Sequence, residues 1–333
     1  MATSVTIYDV AAEAGVSIST VSLALNSPMR VSDATRQRVL RAADALGFVP
    51  KADAVSRARR GVGRIGVVAP FTSYASFARR LNGVLGAVQG QPLEVVVFDQ
   101  QSAAATALPL LAALPLTRRL DGLVVMGLPL DESVAARLVS LELPTVLVDL
   151  RHPSFDSVHA DDTAGGRMVA DHLVERGHRR FAFLGETQQS RLYVSPSEQR
   201  LAGYRAGLQA AGHTLSDDDV RLTGHRPELA RQAAAELLSQ PDYPTAVFAH
   251  DDTLAAGVLW AARDLGLSVP RDVAVVGFDD SDVAEVLDLS TVRQPLEESG
   301  RTAAELLLER LHRTPGSTRE VTLRLELLVR GTS

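Results

Sequence analysis

Acidic and imidazole side chains directly follow several β-branched runs of this 333-residue sequence. The runs PTVLV, TAVFA and DVAVVGF each end immediately before such a group. The side chains concerned are Asp149, His250, Asp251, Asp252, Asp279 and Asp280. Carboxylates accept hydrogen bonds, and a neutral imidazole both donates and accepts one. The residues of this set are therefore candidates for ligand binding. The alternative for an aspartate in such a place is a helix cap, which fits Asp251 or Asp252, and also Asp162.

A second set of polar side chains lies near the N-terminus, in the stretch TIYDVAAEAGVSISTVSLALN (residues 6–26). Ser17, Thr20, Ser22 and Asn26 are short hydrogen-bonding groups suited to phosphate oxygens, and such contacts position a protein on nucleic acid without reading its sequence. The charge supports this interpretation. Residues 1–61 hold eight Lys and Arg against five Asp and Glu, whereas the remainder carries a formal charge of −9. A basic head on an acidic body indicates a polyanion-binding module joined to a unit of another kind.

The head must position its hydroxyl groups on helices. Apolar residues at spacings of three and four predict two short helices around Gly15, with Thr6 and Ser17 as caps, and a third helix from Ser32 to Gly47. The positions predicted to face inward are Ile7, Val10, Ala11, Ala14, Val21, Ala24, Leu25, Ala34, Val39, Leu40, Ala43 and Leu46. Two short helices with a tight turn and a supporting helix describe a helix-turn-helix module.

The body alternates β-branched runs with helical stretches from Arg64 onward, and this alternation predicts parallel, doubly wound sheets. Strands are predicted at 64–70, 93–98, 121–127, 144–150, 180–185, 245–250 and 272–278, with a final strand at 319–330. More than 200 residues of this pattern indicate two similar lobes. The fold class is thus α/β, with an N-terminal three-helix helix-turn-helix head and two doubly wound parallel-sheet lobes. Ligands of such sheets bind beyond the carboxyl ends of the strands.

The head also resembles a known family. The pattern T-I-x-D-V-A-x-x-A-G-V-S-x-x-T-V-S-x-x-L-N is similar to the N-terminal signature of the lactose-repressor (LacI/GalR) family of bacterial transcription regulators. The segments HLVERGHRRFAFLG, SEQRLAGYRAGL, GFDD and STVRQP resemble the same family in the expected order. The resemblance covers essentially the whole chain. It implies a repressor of a palindromic operator, controlled by a small polar effector that is a sugar or sugar derivative, with lobes like those of periplasmic sugar-binding proteins.

For the head, the resemblance implies that the second helix enters the major groove of double-stranded DNA. Ile18, Ser19 and Leu23 stand at the positions that select the operator, and the two apolar residues favour contact with thymine methyl groups. Tyr8 reaches the backbone or a base from the first helix. The predicted contacts to DNA are Thr6, Tyr8, Ser17, Ile18, Ser19, Thr20, Ser22, Leu23, Asn26, Ala54 and Arg57.

The hinge departs from the family. After Pro50, the family forms a hinge helix whose leucine wedges into the minor groove, and here Arg57 stands at the wedge position while Ala52 and Ala54 match. Arginine favours electrostatic insertion into a narrow groove over unstacking of bases. A basic linker that never inserts is the alternative.

For the body, the resemblance implies a cleft between the lobes that holds the effector. Asp149, Arg200 and Asp279 are carried over as effector contacts, because carboxylates and a guanidinium fork hold sugar hydroxyls. His250 stands where the family usually has asparagine, and His225 stands about where an aromatic side chain stacks on the ligand. Phe71, Tyr74 and Phe77 follow the first strand and are expected to cover the ligand, although Phe71 and Phe77 also suit a core. The predicted effector contacts are Phe71, Tyr74, Asp149, Arg200, His225, His250 and Asp279.

The predicted domains are a helix-turn-helix head at 1–47, a hinge at 48–63 and a two-lobed effector-binding and dimerisation domain at 64–333. Lobe 1 comprises about 64–160 and 292–319, and lobe 2 about 161–291 and 320–333. Because no leucine-heptad tail follows the final strand, a homodimer is expected.

Other function classes are disfavoured by residues that the sequence lacks. It has no cysteine, which excludes disulfides and thiolate metal sites, and it has no P-loop, G-x-S-x-G or H-E-x-x-H motif, so no enzyme, cofactor or metal is predicted. The segment 61–66 fits G-x-G-x-x-G but opens a strand instead of a helix, so it is no dinucleotide fingerprint. His152, His159, Asp161 and Asp162 are too loosely spaced for a metal site. A transport-type binding protein is disfavoured by the head and by the absence of a signal peptide or membrane span, and a cytoplasmic location is expected.

Overall fold

The computed structural model describes residues 5–26, 30–48, 63–102, 104, 120–191, 194–312 and 316–333. The chain divides into two compact units. Unit 1 comprises Met1–Ser157 and Gly300–Glu320, and unit 2 comprises Val158–Ser299 and Val321–Ser333. Among the described residues, no helix combines the length and the apolar character that a membrane span requires.

Three helices at the N-terminus form the head. They are α1 (Ile7–Ala14), α2 (Ile18–Asn26) and α3 (Asp33–Leu46). The Asp9 carboxylate accepts hydrogen bonds from the amide and the hydroxyl of Thr6, both at 2.7 Å, which fixes the start of α1. Gly15 ends this helix at φ 63°, a left-handed conformation that glycine adopts without a steric penalty.

The head has its own apolar core, which confirms the three-helix prediction. The fully buried members are Val10, Ala11, Ala14, Val21, Ala24, Leu25, Val39, Leu40, Ala42, Ala43 and Phe48. The predicted inward position of Ala34 is wrong, since this residue is exposed. Arg36, two positions along, is buried instead and pairs with Asp33 at 2.8 Å. Arginine can occupy such a place because its aliphatic stem packs against apolar groups.

The first sheet is built mainly from unit 1. Its strands are β1 (Gly63–Ala69), β2 (Leu93–Asp99), β3 (Gly122–Met126), β4 (Thr145–Val148), β5 (Asp156–Ala160) and β11 (Glu320–Leu323), in the spatial order β11-β5-β4-β3-β1-β2. The pairs β1–β2, β1–β3 and β3–β4 are parallel. The helices of this part are α4 (Ala75–Val88), α5 (Glu132–Ser140) and α11 (Leu296–His312).

The second sheet belongs to unit 2. Its strands are β6 (Phe181–Glu186), β7 (Val220–Thr223), β8 (Ala246–Ala249), β9 (Ala274–Asp279), β10 (Ser290–Arg293) and β12 (Glu326–Leu328), in the order β12-β10-β9-β8-β6-β7. The neighbouring strands β7, β6, β8, β9 and β10 are all parallel, and the edge strand β12 pairs antiparallel with β10. The helices are α6 (Asp162–Glu175), α7 (Pro196–Ala210), α8 (Pro227–Leu238), α9 (Asp252–Asp264) and α10 (Asp282–Val286).

Alternation along the strands divides the core of unit 2 into two layers. In β6, Ala182 and Leu184 pack with α8 and α9, whereas Phe181 and Phe183 pack with α6 and α7 on the opposite face. Helices therefore cover both faces of a parallel sheet, which confirms the doubly wound fold class.

Two glycines bring α6 and α7 into close contact. A methyl group at Gly166 would collide with the backbone carbonyl of Arg200, and one at Gly203 would collide with that of Thr163. Only glycine permits this approach of two backbones, and it fixes the position of Arg200 relative to the start of α6.

Candidate functional site

The outer side of α2 presents a mixed apolar and hydroxyl surface. Ile18 and Leu23 are 41% and 36% exposed, and Tyr8 of α1 is 66% exposed. The Ser17 hydroxyl accepts a hydrogen bond from the Thr20 amide at 3.1 Å, so Ser17 caps α2 as predicted. Ser17 Oγ also lies 2.8 Å from both Ser19 Oγ and Thr20 Oγ1.

The remaining predicted contacts to DNA are placed as follows. Thr6, which precedes α1 as its N-cap, and Ser22 on α2 are half-buried, and Asn26 is the last residue of α2. Ala54 and Arg57 lie outside the described residues, and so does most of the predicted hinge. The structure thus gathers the head residues at the first two helices and leaves the hinge residues as predictions.

A buried ion-pair network lies at the carboxyl ends of the strands of unit 2. The guanidinium of Arg200 donates from Nε to Asp162 Oδ1 at 2.7 Å and from Nη1 to the His250 carbonyl oxygen at 2.5 Å, and its Nη2 lies 3.8 Å from Asp279 Oδ1. It also stacks on Phe278, with Cζ 3.6 Å from the ring centroid. Burial alone would lower the pKa of Arg200, but the Asp162 and Asp279 carboxylates outweigh it and raise that pKa.

The structure corrects one helix-cap assignment and decides between Asp251 and Asp252 for another. Asp161, not Asp162, caps α6 by accepting from the Ala164 amide at 2.9 Å, which leaves Asp162 to pair with Arg200. At α9 the cap is Asp251, which accepts from the Leu254 amide at 2.8 Å.

Two histidines meet at Asp251. His225 Nε2 hydrogen-bonds to Asp251 Oδ2, and His250 Nε2 lies 3.7 Å from the same oxygen. Burial alone would lower the pKa of His225, but the Asp251 carboxylate reverses this and raises it to about 9. Burial lowers the pKa of His250 to about 3, with help from the Arg200 and His225 cations. At neutral pH His225 is therefore an imidazolium, whereas His250 is neutral.

Asp252, Asp279 and Asp280 have separate partners. Asp252 accepts from Thr291 Oγ1 at 2.6 Å and from the Ser281 amide at 2.7 Å, and burial together with the nearby Asp279 charge raises its pKa to about 7. Asp279 accepts from Gln294 Nε2 at 2.5 Å. Asp280 binds the two arginines Arg293 and Arg330, at 2.8 and 2.6 Å.

Unit 1 presents the other predicted effector contacts. Asp149 adopts φ 58° directly after β4 and forms an ion pair with Arg80 at 2.6 Å, with both side chains buried. Tyr74 contacts Phe77 edge-on, with ring centroids 5.9 Å apart, and Phe77 is only 8% exposed. Phe71 is half-buried in the turn after β1. Phe77 therefore belongs to the core, whereas Tyr74 and Phe71 retain some exposed surface.

Sequence reasoning missed Arg80 and the pairing role of Asp162. Arg80 lies inside α4 and follows no strand, whereas Asp162, two residues after β5, was assigned to a helix cap instead of an ion pair. Their buried charges need partners from distant parts of the chain, and no local pattern reveals such a pairing.

Comparison with known proteins identifies the family. A model of the bacterial regulatory proteins of the lacI family matches residues 6–51, and a model of the periplasmic binding protein-like domain matches residues 170–333. The repressor CytR of Escherichia coli strain K12 is 31% identical over 99% of this chain and 97% of its own length. The chain belongs to the lacI family.

Two further similarities cover this member of the lacI family almost completely. The repressor PurR of Vibrio vulnificus strain CMCP6 is 29% identical over 98% of both chains. A solved complex of the transcriptional regulator CelR with cellobiose aligns with a TM-score of 0.72 and 30% identity, over 99% of this chain and all of the other. The chain is thus a transcriptional repressor with a helix-turn-helix DNA-binding domain and lobes like periplasmic binding proteins, and it is not an enzyme.

Proposed function

We propose that this repressor acts as a homodimer on a palindromic operator, and that a sugar or sugar derivative sets its affinity for DNA. The observation that carries the effector part is the buried Arg200 fork beside Asp162, Asp279 and His250, at the carboxyl ends of parallel strands. A guanidinium with neighbouring carboxylates provides donors and acceptors for adjacent hydroxyl groups. The similarity to CelR, solved with cellobiose, supports the same ligand class.

The proposed DNA contact uses the exposed side of α2. Ile18 and Leu23 offer apolar groups to thymine methyls, and Ser19 offers a hydroxyl to a base edge. Ser17, Thr20, Ser22 and Asn26 contact phosphates, together with Thr6 and Tyr8. Two heads of a dimer would read half-sites about one helical turn apart, because each reading helix occupies one major groove.

The proposed domains follow from these roles: a head at 1–47, a hinge at 48–63 and an effector-binding and dimerisation domain at 64–333. In the hinge, Ala54 and Arg57 contact the minor groove, and Arg57 enters it as a cation where the family uses a leucine wedge. Effector contacts come from Phe71, Tyr74 and Asp149 in unit 1 and from Arg200, His225, His250 and Asp279 in unit 2.

The effector controls DNA binding only through a difference in its affinity for two arrangements of the chain. By linkage, operator DNA then changes the effector affinity by the same factor. Titration of the effector with and without operator DNA would measure this coupling directly.

The first experiment is selection of bound sequences from a random duplex pool by the purified protein at near-physiological salt. Enrichment of a palindrome with half-sites about one helical turn apart supports the dimeric repressor. The selected duplex is then titrated in the presence of cellobiose and a panel of monosaccharides and disaccharides. Enrichment of a single half-site, or of no sequence with or without the sugar panel, would overturn the proposal.

A further inference from the structure

Three metal-ligating atoms converge in unit 2, between the ends of β7 and β8 and the start of α9. Each comes from one of the residues His225, His250 and Asp251, and these three atoms, found among the described residues, all lie within 4.8 Å of one another. Nε2 is the ring nitrogen that faces Asp251 Oδ2 in both histidines. The side chains of His225, His250 and Asp251 are only 11%, 9% and 8% exposed. His250 Nε2 is buried, and none of the residues that the structure describes offers it a hydrogen-bond partner.

We propose that His225, His250 and Asp251 form a binding site for a divalent transition metal ion, with zinc as the preferred ion. Two imidazoles and one carboxylate are the donors that zinc takes in three-ligand sites, where its fourth position is left open. Magnesium and calcium prefer oxygen ligands, so the two histidines select against them.

The distances between the ligand atoms suit a tetrahedral zinc ion after small movements of the side chains. Ligands about 2.0–2.1 Å from zinc lie roughly 3.4 Å from one another in a tetrahedron, and His250 Nε2 is 3.7 Å from Asp251 Oδ2. The direct hydrogen bond between His225 and Asp251 has to open, because the ion takes the place of the shared proton. Asp251 keeps its orientation during this change, since its other oxygen, Oδ1, caps α9 through the Leu254 amide.

Zinc binding at His250 changes the contact between the His250 ring and Arg200. Its Nη1 lies 3.3 Å from His250 Nδ1, a contact that holds the ring proton on Nε2. Binding of zinc at Nε2 moves that proton to Nδ1 and breaks this weak hydrogen bond. Arg200 retains its shorter bonds to the His250 carbonyl oxygen and to Asp162, so the guanidinium stays in place.

The site adds to the proposed function without resting on it. The three ligands all belong to unit 2, and zinc binding can be measured without operator DNA or a sugar. The open fourth position accepts water or an oxygen atom of a polar ligand, which gives the ion a way to take part in the effector response.

The test is isothermal titration of zinc chloride into the full-length, tag-free protein after removal of metals with a chelator. Wild type should bind one zinc per chain, and magnesium should give no heat at the same concentrations. Asp251→Asn, His225→Gln and His250→Gln should each weaken zinc binding by at least about 100-fold, because loss of a ligand exceeds the usual effect of its outer-shell partners. His213→Gln, in the same unit but outside the group, is the matched control and should bind zinc like wild type.

Folding of each variant is checked by its thermal unfolding transition. Asp251→Asn is the most informative variant, because asparagine also caps helices and so retains the start of α9. Unchanged zinc affinity in folded Asp251→Asn and His225→Gln would overturn the proposal, as would the absence of zinc binding by wild type up to about 1 mM. These outcomes leave the operator selection unaffected, so failure of the metal site and failure of the proposed function are distinguishable.

Discussion

Removal of the Arg200 side chain should destabilise unit 2 strongly. Arg200 and Asp162 have side chains only 5% and 6% exposed, so Arg200→Ala leaves the Asp162 carboxylate buried next to an empty space. Loss of one partner of a buried ion pair costs about 3–5 kcal/mol. Because Asp162 lies in the first turn of α6, the helix dipole offsets part of its charge, and we expect the lower end of that range.

Urea denaturation measures this effect. With a slope of about 2 kcal/mol per M, a loss of about 3 kcal/mol lowers the unfolding midpoint by about 1.5 M. Arg226→Ala is the matched control, because Arg226 pairs with Glu228 at 3.4 Å on the surface, where an ion pair contributes less than about 1 kcal/mol. Its midpoint should remain within about 0.5 M of wild type.

A double-mutant cycle isolates the ion pair from the loss of packing. Arg200→Ala combined with Asp162→Ala removes both charges, so the double variant should be more stable than the sum of the single losses predicts, by about 1 kcal/mol or more. Additive losses, or a midpoint shift below about 0.5 M for Arg200→Ala alone, would refute the view that Arg200 neutralises Asp162. Effector binding is better tested with Arg200→Lys, which keeps a cation beside Asp162.

Four further predictions concern other parts of the chain. His225→Gln should lower the free energy of unfolding by up to about 3 kcal/mol at pH 6 and by almost nothing near pH 10. The raised pKa of His225 stabilises the fold fully below about pH 6.5, and this stabilisation is lost as the pH rises through about 9. Equal losses at both pH values would contradict this prediction. Gly203→Ala should cost more than about 2 kcal/mol by steric overlap with the facing helix, whereas Gly86→Ala, with open space around its added methyl, should be neutral or stabilising in the same thermal assay. Ser17→Ala should lower the free energy of unfolding of the head by about 1 kcal/mol, as measured by thermal unfolding. An unchanged transition would argue against the capping role of Ser17. Arg57→Ala should lower the salt slope of operator binding by about one unit, and an unchanged slope would mean that Arg57 does not contact phosphate.

The helices of the head and most strands could be predicted because their signals are local. Thr6, Ser17 and Gly15 stand at helix ends where capping requires their residue types, and the structure places helix boundaries there. The single final strand predicted at 319–330 is wrong, because the chain forms two strands there, β11 and β12, in different sheets. Three further strands were missed, namely β5, β7 and β10. Their sequences DSVHA, VRLT and STVR are short and carry polar residues, so pairing with neighbouring strands, not composition, makes them strands.

The polar partners in the candidate site could not be predicted from spacing. Arg200 and Asp162 are 38 residues apart, and Arg80 on α4 pairs with Asp149 at the end of β4. A buried charge selects its partner by proximity in the folded chain, and several aspartates follow strands here. Sequence reasoning could therefore name Arg200 and Asp149 as polar site residues but could not assign their ion-pair partners.

The glycine contact between α6 and α7 has a consequence for the evolution and engineering of ligand specificity. Arg200 is held on a backbone contact that tolerates no side chain at Gly166 or Gly203, so substitution near it disturbs the framework itself. His225 and His250, by contrast, stand in loops between strands and helices. New ligand preferences should therefore arise first at these two loop positions, where a substitution removes buried polar contacts but leaves the backbone contact between α6 and α7 intact.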